Sequence, residues 1–537
     1  GISYILPLCH DESVFKDKWK SKLKMLSGIL ESDKVVKVAW NLKFEQKILM
    51  LYGITLGGRL FDAMLAKYLL EEKRPNDLKS IVKKYIPDYS SYEDEVGKMA
   101  TKVGWGNVPL KPLSKYCGLD CDLTLRLMII FEPKLIRANL YKLFRNLLMQ
   151  ASTVLAKSEF KGFYVDRKFL DGLVTKYAKE IKLNEIELRA NKALRIFERK
   201  QKKHKLKEYI ADINEEIAEI RKSKNPNSIR LIQSRTDKIS RLLAGEVTNK
   251  KERALIEPFN FNSPTQLKAV LCSKKGFCFE PIRYTESNQP STDEDVLIKL
   301  KALSDRKSVI KFIDDLLKSR ELNKINSTYV VGIKELLSDK NKLHATYLIH
   351  GTVTGRLSCT QPNIQNIPRG HTAADIKKFF IATKGKVILQ LDYAQAELRV
   401  MAEMANETSM IEAFKNNIDI HTATACKKYK ADPKIVTKIL KDEKHKEDTT
   451  WAKRRKQAKT INFGIIYCQG APALAESLSE PAKDGKPAII VTKQEAAQFL
   501  KEFDETFPRV GRFIKNQQKK AYDQGYVKTL FGRKRRL

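Results

Sequence analysis

Four chemically distinct side chains recur at every fourth position between Trp451 and Gly470: Arg455, Lys459, Phe463 and Tyr467. On an α-helix each step of four turns the side chain through about 400°, so the set drifts slowly and makes one stripe on one face. The spacing predicts a helix that presents two cations and then two rings. Arg455 can form a bidentate fork and Lys459 supplies a point charge, a pairing suited to a polyphosphate. The rings suit a sugar and a base. Taken alone, the stripe also fits an amphipathic helix whose cations are merely solvated.

The chain around this stripe is long enough, at 537 residues, for several domains with separate cores. Lysine and arginine outnumber aspartate and glutamate 101 to 64, a formal net charge of +37. That balance favours a polyanionic partner, nucleic acid before anionic membrane. No apolar run reaches about 18 residues, so no bilayer-spanning helix and no membrane partner are expected. The eight cysteines contain no Cys-x2-Cys pair, which argues against a disulfide framework or structural zinc and for an intracellular, reducing compartment. The opening GISYILPLCH has no initiator Met and too short an apolar core for a signal peptide, so it reads as the start of a fragment.

The stripe resembles the nucleotide-binding fingers helix of family A DNA polymerases, Arg-x3-Lys-x3-Phe/Tyr-x3-Tyr-Gly, with Cys468 in place of the glycine. A second resemblance is to that family's palm motif A. The apolar run Val387–Leu391 reads as a buried strand ending in Asp392, and DYAQAELR over 392–399 stands where the family has DYSQIELR. A carboxylate ending a buried strand is costly unless it is paired or binds a metal. The resemblance implies that Asp392 is catalytic and binds two Mg2+ ions. It assigns Gln395, Glu397, His421 (in DIHTA, 419–423), Arg455, Lys459, Phe463 and Tyr467 to the dNTP, with Glu397 blocking a 2′-hydroxyl.

TGRLS at 354–358 and PNIQNIP at 362–368 resemble the segment lining the primer–template minor groove, and GYVKTLFGR at 525–533 resembles the end of the fingers. Minor-groove acceptors sit alike in every base pair, so Arg356, Gln365 and Asn366 can test pair shape without reading sequence. Arg399 and Arg533 join them as DNA-binding residues.

Residues 1–133 alternate strand-like runs (ISYILPL, VVKVAWN) with helical ones (EQKILMLYG, FDAMLAKYLLEE), the pattern of an α/β layer. NLKFE at 41–45, Phe61-Asp62 and Tyr116-x3-Asp120 resemble motifs of the DnaQ-like 3′–5′ exonuclease domain. That likeness makes Glu45, Asp62, Tyr116 and Asp120 candidates for a second two-ion site, although the family has Asp where Glu45 stands. The expected architecture is an α/β, RNase H-like exonuclease domain followed by a right-hand polymerase with an α+β palm and helical fingers and thumb. Expected boundaries are 1–133 exonuclease-like, 134–345 palm entry and enlarged thumb, 346–405 palm, and 406–537 fingers.

Within the thumb region, residues 195–207 carry seven Lys or Arg, and Ile210, Ile213, Ile217 and Ile220 repeat at helical spacing. After a break at Asn225–Ser228, Ile232, Ile239 and Leu242 resume the pattern. A helical hairpin follows, and its charge fits equally a solvated face or a surface tracking duplex phosphates. A polar insertion rich in Pro, Lys and Gly spans 479–490.

The expected function is template-directed DNA synthesis on primer–template DNA from dNTPs, with 3′–5′ proofreading open for the intact parent and the identity of any processivity factor left open. A single-subunit RNA polymerase relative and a catalytically silent DNA-binding subunit remain as rivals. Glu397 argues against the first, and the intact Asp392, Arg455 and Lys459 against the second. No His-Asp-Glu tripeptide follows Arg533, so the residues given are expected to bind primer–template but to extend it near background.

Overall fold

The computed structural model describes residues 2–223, 226–368, 374–441, 450–479 and 490–537, with Lys428 lacking a described side chain. They form two compact units: Gly1–Val165 with Leu336–Ile367 and Phe380–Leu537, and Asp166–Glu335 with Pro368–Phe379.

In the first unit, strands β1 (Lys37–Ala39) and β2 (Leu60–Asp62) pair in parallel, with Val38 opposite Phe61. Helix α1 (Leu42–Leu51) makes the crossover between them. The next helix, α2 (Ala63–Leu70), is buried along nearly its whole length, as its sequence AMLAKYLL requires. It packs with α3 (Leu110–Arg137), where Leu123, Leu127 and Phe131 join Phe61, Tyr68 and Phe144 in one core. The run at residues 2–8 forms no strand, contrary to the sequence expectation, and no hydrogen bond among the described residues pairs it with β1 or β2. Helix α4 (Met149–Lys161) buries Glu159 against Lys43 and, at 2.7 Å, Lys47 of α1. Removing either partner of such a buried pair leaves an uncompensated charge, so these contacts fix the helix carrying Glu45.

The second unit is helical. Helix α5 (Arg167–Ala190) is capped by Asp166, whose carboxylate accepts the Phe169 N–H at 3.0 Å. The chain breaks at Asn191, whose side chain accepts the Ala193 and Leu194 N–H groups to start α6 (Lys192–Lys222). The predicted hairpin forms between α6 and α7 (Ser228–Leu243). Tyr209, Ile213 and Ile217 face Leu242, with Ile232 and Ile239 alongside. Asn225, in the expected break, lies outside the described residues.

Returning to the first unit, β3 (Thr346–Leu348) and β4 (Ser358–Thr360) pair antiparallel around the loop carrying Arg356. Then come α8 (Ala396–Ala405), α9 (Ile420–Lys428), α10 (Thr450–Ile466), α11 (Lys493–Thr506) and α12 (Pro508–Gln524). Leu398, Met410, Ile420, Ile461, Ile465 and Phe503 form their shared core. The hairpin β5 (Tyr526–Lys528) and β6 (Lys534–Arg536) follows. Buried Glu72, beyond α2, accepts the Arg536 backbone N–H at 2.6 Å and the guanidiniums of Arg536 and Arg535 at 2.7 and 3.1 Å.

One expectation fails here. Residues 387–391 are not a buried strand: Val387 is 87% and Leu391 83% exposed, and no described residue pairs with them. An apolar run gains from extending only when neighbouring strands take its hydrogen bonds and a layer covers it. Most of the polar insertion, residues 480–489, lies outside the described residues.

Candidate nucleotide and nucleic-acid site

Helix α10 forms as the four-residue repeat predicts, and it ends on a left-handed residue. Cys468 adopts φ +55°, its N–H reaches the Ile465 carbonyl at 2.9 Å, and the Gln469 N–H reaches Gly464 at 2.8 Å. That is the Schellman arrangement, with a Cβ-bearing residue where glycine is favoured. Tyr467 therefore sits just past the helix, its ring stacked on Phe463 at 6.3 Å and 16°.

The stripe's first cation is anchored. Arg455 donates from Nε to Asp419 Oδ2 at 2.8 Å and from Nη2 to Oδ1 at 3.1 Å. Asp419 also caps α9, accepting the Thr422 N–H at 2.8 Å and its hydroxyl at 2.7 Å, and it accepts the Gln395 amide. Burial works to raise this carboxyl, yet the bonds from Arg455 and Thr422 hold it below its ordinary value. Gln395, His421 and Arg455 are thus drawn together by a residue that sequence reasoning passed over. Its one local signal is the capping pattern Asp419-x-x-Thr422.

His421 is buried, and desolvation pushes its imidazole down to about 4, with Arg455 and Lys459 adding to the effect and Asp419 opposing it. It is neutral at pH 7. The amide nitrogen of buried Asn462 faces its Nδ1 at 3.0 Å, so Nδ1 accepts and Nε2 carries the proton. Lys459 Nζ lies 5.9 Å from the Phe463 ring and has no anionic partner among the described residues.

A second cluster joins Arg356, Glu397 and Tyr467. The Arg356 guanidinium meets Glu397 Oε1 and, at 3.0 Å, the Tyr467 hydroxyl, which itself donates to Glu397 at 3.0 Å. The loop at 354–358, the start of α8 and the exit of α10 meet there. Other expected DNA contacts are arranged differently. Arg399 donates to the Ala394 carbonyl at 2.9 Å and lies 4.4 Å from the Phe414 ring, while Arg533 sits 4.6 Å over Tyr68 of α2. Gln365 and Asn366 occupy an exposed 3-10 turn. Asp392 lies in irregular, exposed chain rather than at the end of a buried strand.

The exonuclease candidates occupy two places. Buried Asp62 accepts the N–H groups of Asn41, Leu42 and Leu65 at 3.2, 2.9 and 3.2 Å, tying the starts of α1 and α2 together. Burial nevertheless raises its carboxyl to about 6. Glu45 is raised to about 7, chiefly by burial and further by Asp62, and its Oε2 is buried with no hydrogen-bond partner. Asp120 accepts the hydroxyl of Tyr92 at 2.7 Å, and Tyr92 stacks on Tyr116 at 5.9 Å. Tyr92 carries no local sequence signal.

Comparison with known proteins bears on both halves. The 3′-5′ exonuclease model matches residues 8–136, and the model of DNA polymerase family A matches residues 229–537, more than half of the chain. The chain belongs to the family A DNA polymerases. DNA polymerase I of Borreliella burgdorferi is 27% identical over 535 residues, covering 99% of this chain and 48% of that protein. The DNA polymerase of Bacillus phage SP01 is 28% identical over 554 residues, covering 100% of this chain and 55% of that protein. The chain therefore spans about half the length of the curated relatives it matches. The POL domain of Pol1 from M. smegmatis, solved in complex with DNA primer-template and dNTP, shares the fold at TM-score 0.66 and 22% identity, covering 97% of this chain and 71% of that one. An exonuclease domain followed by a family A polymerase domain is thus the architecture.

Proposed function

We propose that this chain is the DNA- and nucleotide-handling part of a template-directed, DNA-dependent DNA polymerase, which joins a dNTP to a primer 3′-hydroxyl. The division is 1–133 exonuclease-like, 134–345 palm entry and thumb, 346–405 palm and 406–537 fingers. The observation that carries the reading is the Arg455–Asp419 fork, which holds a guanidinium beside Gln395 and the neutral His421 of α9; the helix of Arg455 also offers Lys459 and Phe463, with Tyr467 at its exit. Arg455 and Lys459 take the triphosphate charge, and His421 Nε2–H donates to a phosphate oxygen. Phe463 packs on the sugar, and Glu397, braced by Arg356 and Tyr467, fills the space of a 2′-hydroxyl.

Family A polymerases generally use divalent metals. The two Mg2+ ions implied for the polymerase site do not fit the donors present, since Asp392 is one exposed carboxylate. No group of three or more His, Cys, Asp or Glu among the described residues is placed to hold an ion. The residues' roles above are accordingly binding and positioning. Proofreading is supported less well, because Asp62 is occupied by three backbone N–H groups. All eight cysteines are free thiols, and no described helix is long and apolar enough to cross a membrane.

The test is a gel-shift of labelled primer–template with the chain, in which only the dNTP complementary to the next template base should strengthen retention. Equal retention with all four dNTPs would overturn the reading.

A further inference from the structure

We propose that Tyr68, in the exonuclease-like part of the chain, is a positioning residue for the nucleotide site: with Arg533 it sets the loop at 352–356 from which Arg356 reaches Glu397 and Tyr467. Tyr68 lies on α2, far in sequence from the loop it serves.

The first observation is a relay of hydrogen bonds into that loop. Tyr68 is fully buried, and its hydroxyl donates to the Thr352 carbonyl oxygen. The Thr352 hydroxyl donates in turn to the Arg356 carbonyl oxygen at 2.7 Å. One threonine therefore has its backbone held by α2 and its side chain closed on the residue that reaches Glu397.

A glycine in the same loop supplies the second observation. Gly355 has φ +86°, a left-handed conformation that glycine adopts without a Cβ clash. A Cβ there would also stand 2.9 Å from Arg533 Nε and 3.0 Å from its Cζ, so the guanidinium lies against bare backbone. The same guanidinium sits 4.6 Å over the Tyr68 ring. Its Nε is buried and has no hydrogen-bond partner. The ring and the glycine, rather than a polar partner of that nitrogen, locate it.

The hairpin that carries Arg533 into this contact is fastened from the same place. Glu72, four residues after Tyr68, takes the guanidiniums of Arg535 and Arg536 and the Arg536 N–H. Tyr68 and Glu72 thus hold the loop and the hairpin together. These contacts involve none of the exonuclease candidates Glu45, Asp62, Tyr116 and Asp120, so the support operates whether or not those residues cut DNA. What it supplies is alignment. Arg356 is a long, exposed side chain, and ordering it on Glu397 and the Tyr467 hydroxyl costs rotamer freedom that only a fixed backbone makes recoverable.

This inference rests on the proposed function for what Arg356 does, which is to brace Glu397 against a 2′-hydroxyl. Tyr68→Phe keeps the ring under Arg533 and removes only the hydroxyl. In the gel-shift it should lower the preference for dNTP over the matching ribonucleotide by about three- to tenfold, the effect of one hydrogen bond. Thr352→Val cuts the relay at the loop and spares the core, and it should reproduce that loss; circular dichroism checks that both variants fold. Arg356→Ala should lower the preference at least as far. Combined with Tyr68→Phe it should fall no further, because Tyr68 acts through Arg356. A wild-type preference in Tyr68→Phe or Thr352→Val, or losses that multiply in the double variant, overturns the inference. Hydrogen exchange at residues 350–358, measured without nucleotide, separates the two readings, and it should quicken in Tyr68→Phe. If it does while the wild-type chain shows no dNTP-dependent retention, the nucleotide reading falls and the positioning of the loop stands. If retention depends on the complementary dNTP while exchange stays at the wild-type rate, the positioning falls and the nucleotide reading stands.

Discussion

Arg455 and Asp419 form a two-point fork across 36 residues of sequence, Nε to Oδ2 at 2.8 Å and Nη2 to Oδ1 at 3.1 Å. The guanidinium proposed to take the triphosphate charge is thereby held in place by a carboxylate that also starts the helix carrying His421. Asp419→Asn keeps the size and a capping oxygen but removes the charge. It should weaken dNTP-dependent retention of primer–template by about 1.5–3 kcal/mol, the range of one charge-assisted contact, and leave binary DNA affinity unchanged. Retention at the wild-type level in the gel-shift would remove Asp419 from the site.

His421 gives a pH signature. Folded, its imidazole titrates near 4, whereas the unfolded residue takes up its proton near 6.5. Between those values the unfolded chain binds more protons, so stability falls as pH falls from about 6.5 towards about 4, by up to about 3 kcal/mol. Urea denaturation at neutral and mildly acid pH should show His421→Gln losing less stability than wild type; equal losses would contradict the burial.

Glu45 has the opposite sign. Its folded carboxyl is raised to about 7, so its contribution is complete below the unfolded value and is lost as pH rises through 7. Glu45→Gln should stabilise the chain on the order of 2 kcal/mol at mildly alkaline pH and make little difference near pH 4. Denaturation curves at the two pH values decide it.

Cys468 occupies a left-handed position at the end of α10. Cys468→Gly should add about 1 kcal/mol of stability by removing the Cβ clash. Thermal unfolding reports the change, and a lower Tm in the variant would show that the thiol makes a compensating contact.

Sugar choice is the remaining prediction. Glu397→Ala should narrow the preference for dNTP over the matching ribonucleotide in the retention assay, since the carboxylate then no longer fills the 2′ space. Phe463→Tyr should improve retention of dideoxynucleotides, because a hydroxyl there can stand in for the missing 3′-hydroxyl. An unchanged ratio in either variant removes the role from that residue.

The order of these side chains in sequence explains which were legible. Arg455, Lys459, Phe463 and Tyr467 are placed by one helix, so their spacing alone predicts their common face. Ile213 and Ile217 announce the hairpin in the same local way. Asp419 shows only its capping pattern, because its bond to Arg455 depends on packing between α9 and α10. Tyr92 reaches Asp120 across 28 residues and has no periodic neighbour to mark it. Residues 387–391 have every local feature of a buried strand, yet strand pairing is a property of partners, and the described chain supplies none.

Glu72 lies early in the chain and takes its hydrogen bonds from Arg536, 464 residues later. At synthesis rates of about 5–20 residues per second, the ribosome needs on the order of half a minute or more to deliver the second partner. Until then the carboxylate stays hydrated at the rim of the first core. The segment around Glu72 therefore stands without this fastening until the β5–β6 hairpin, made 464 residues later, docks on it.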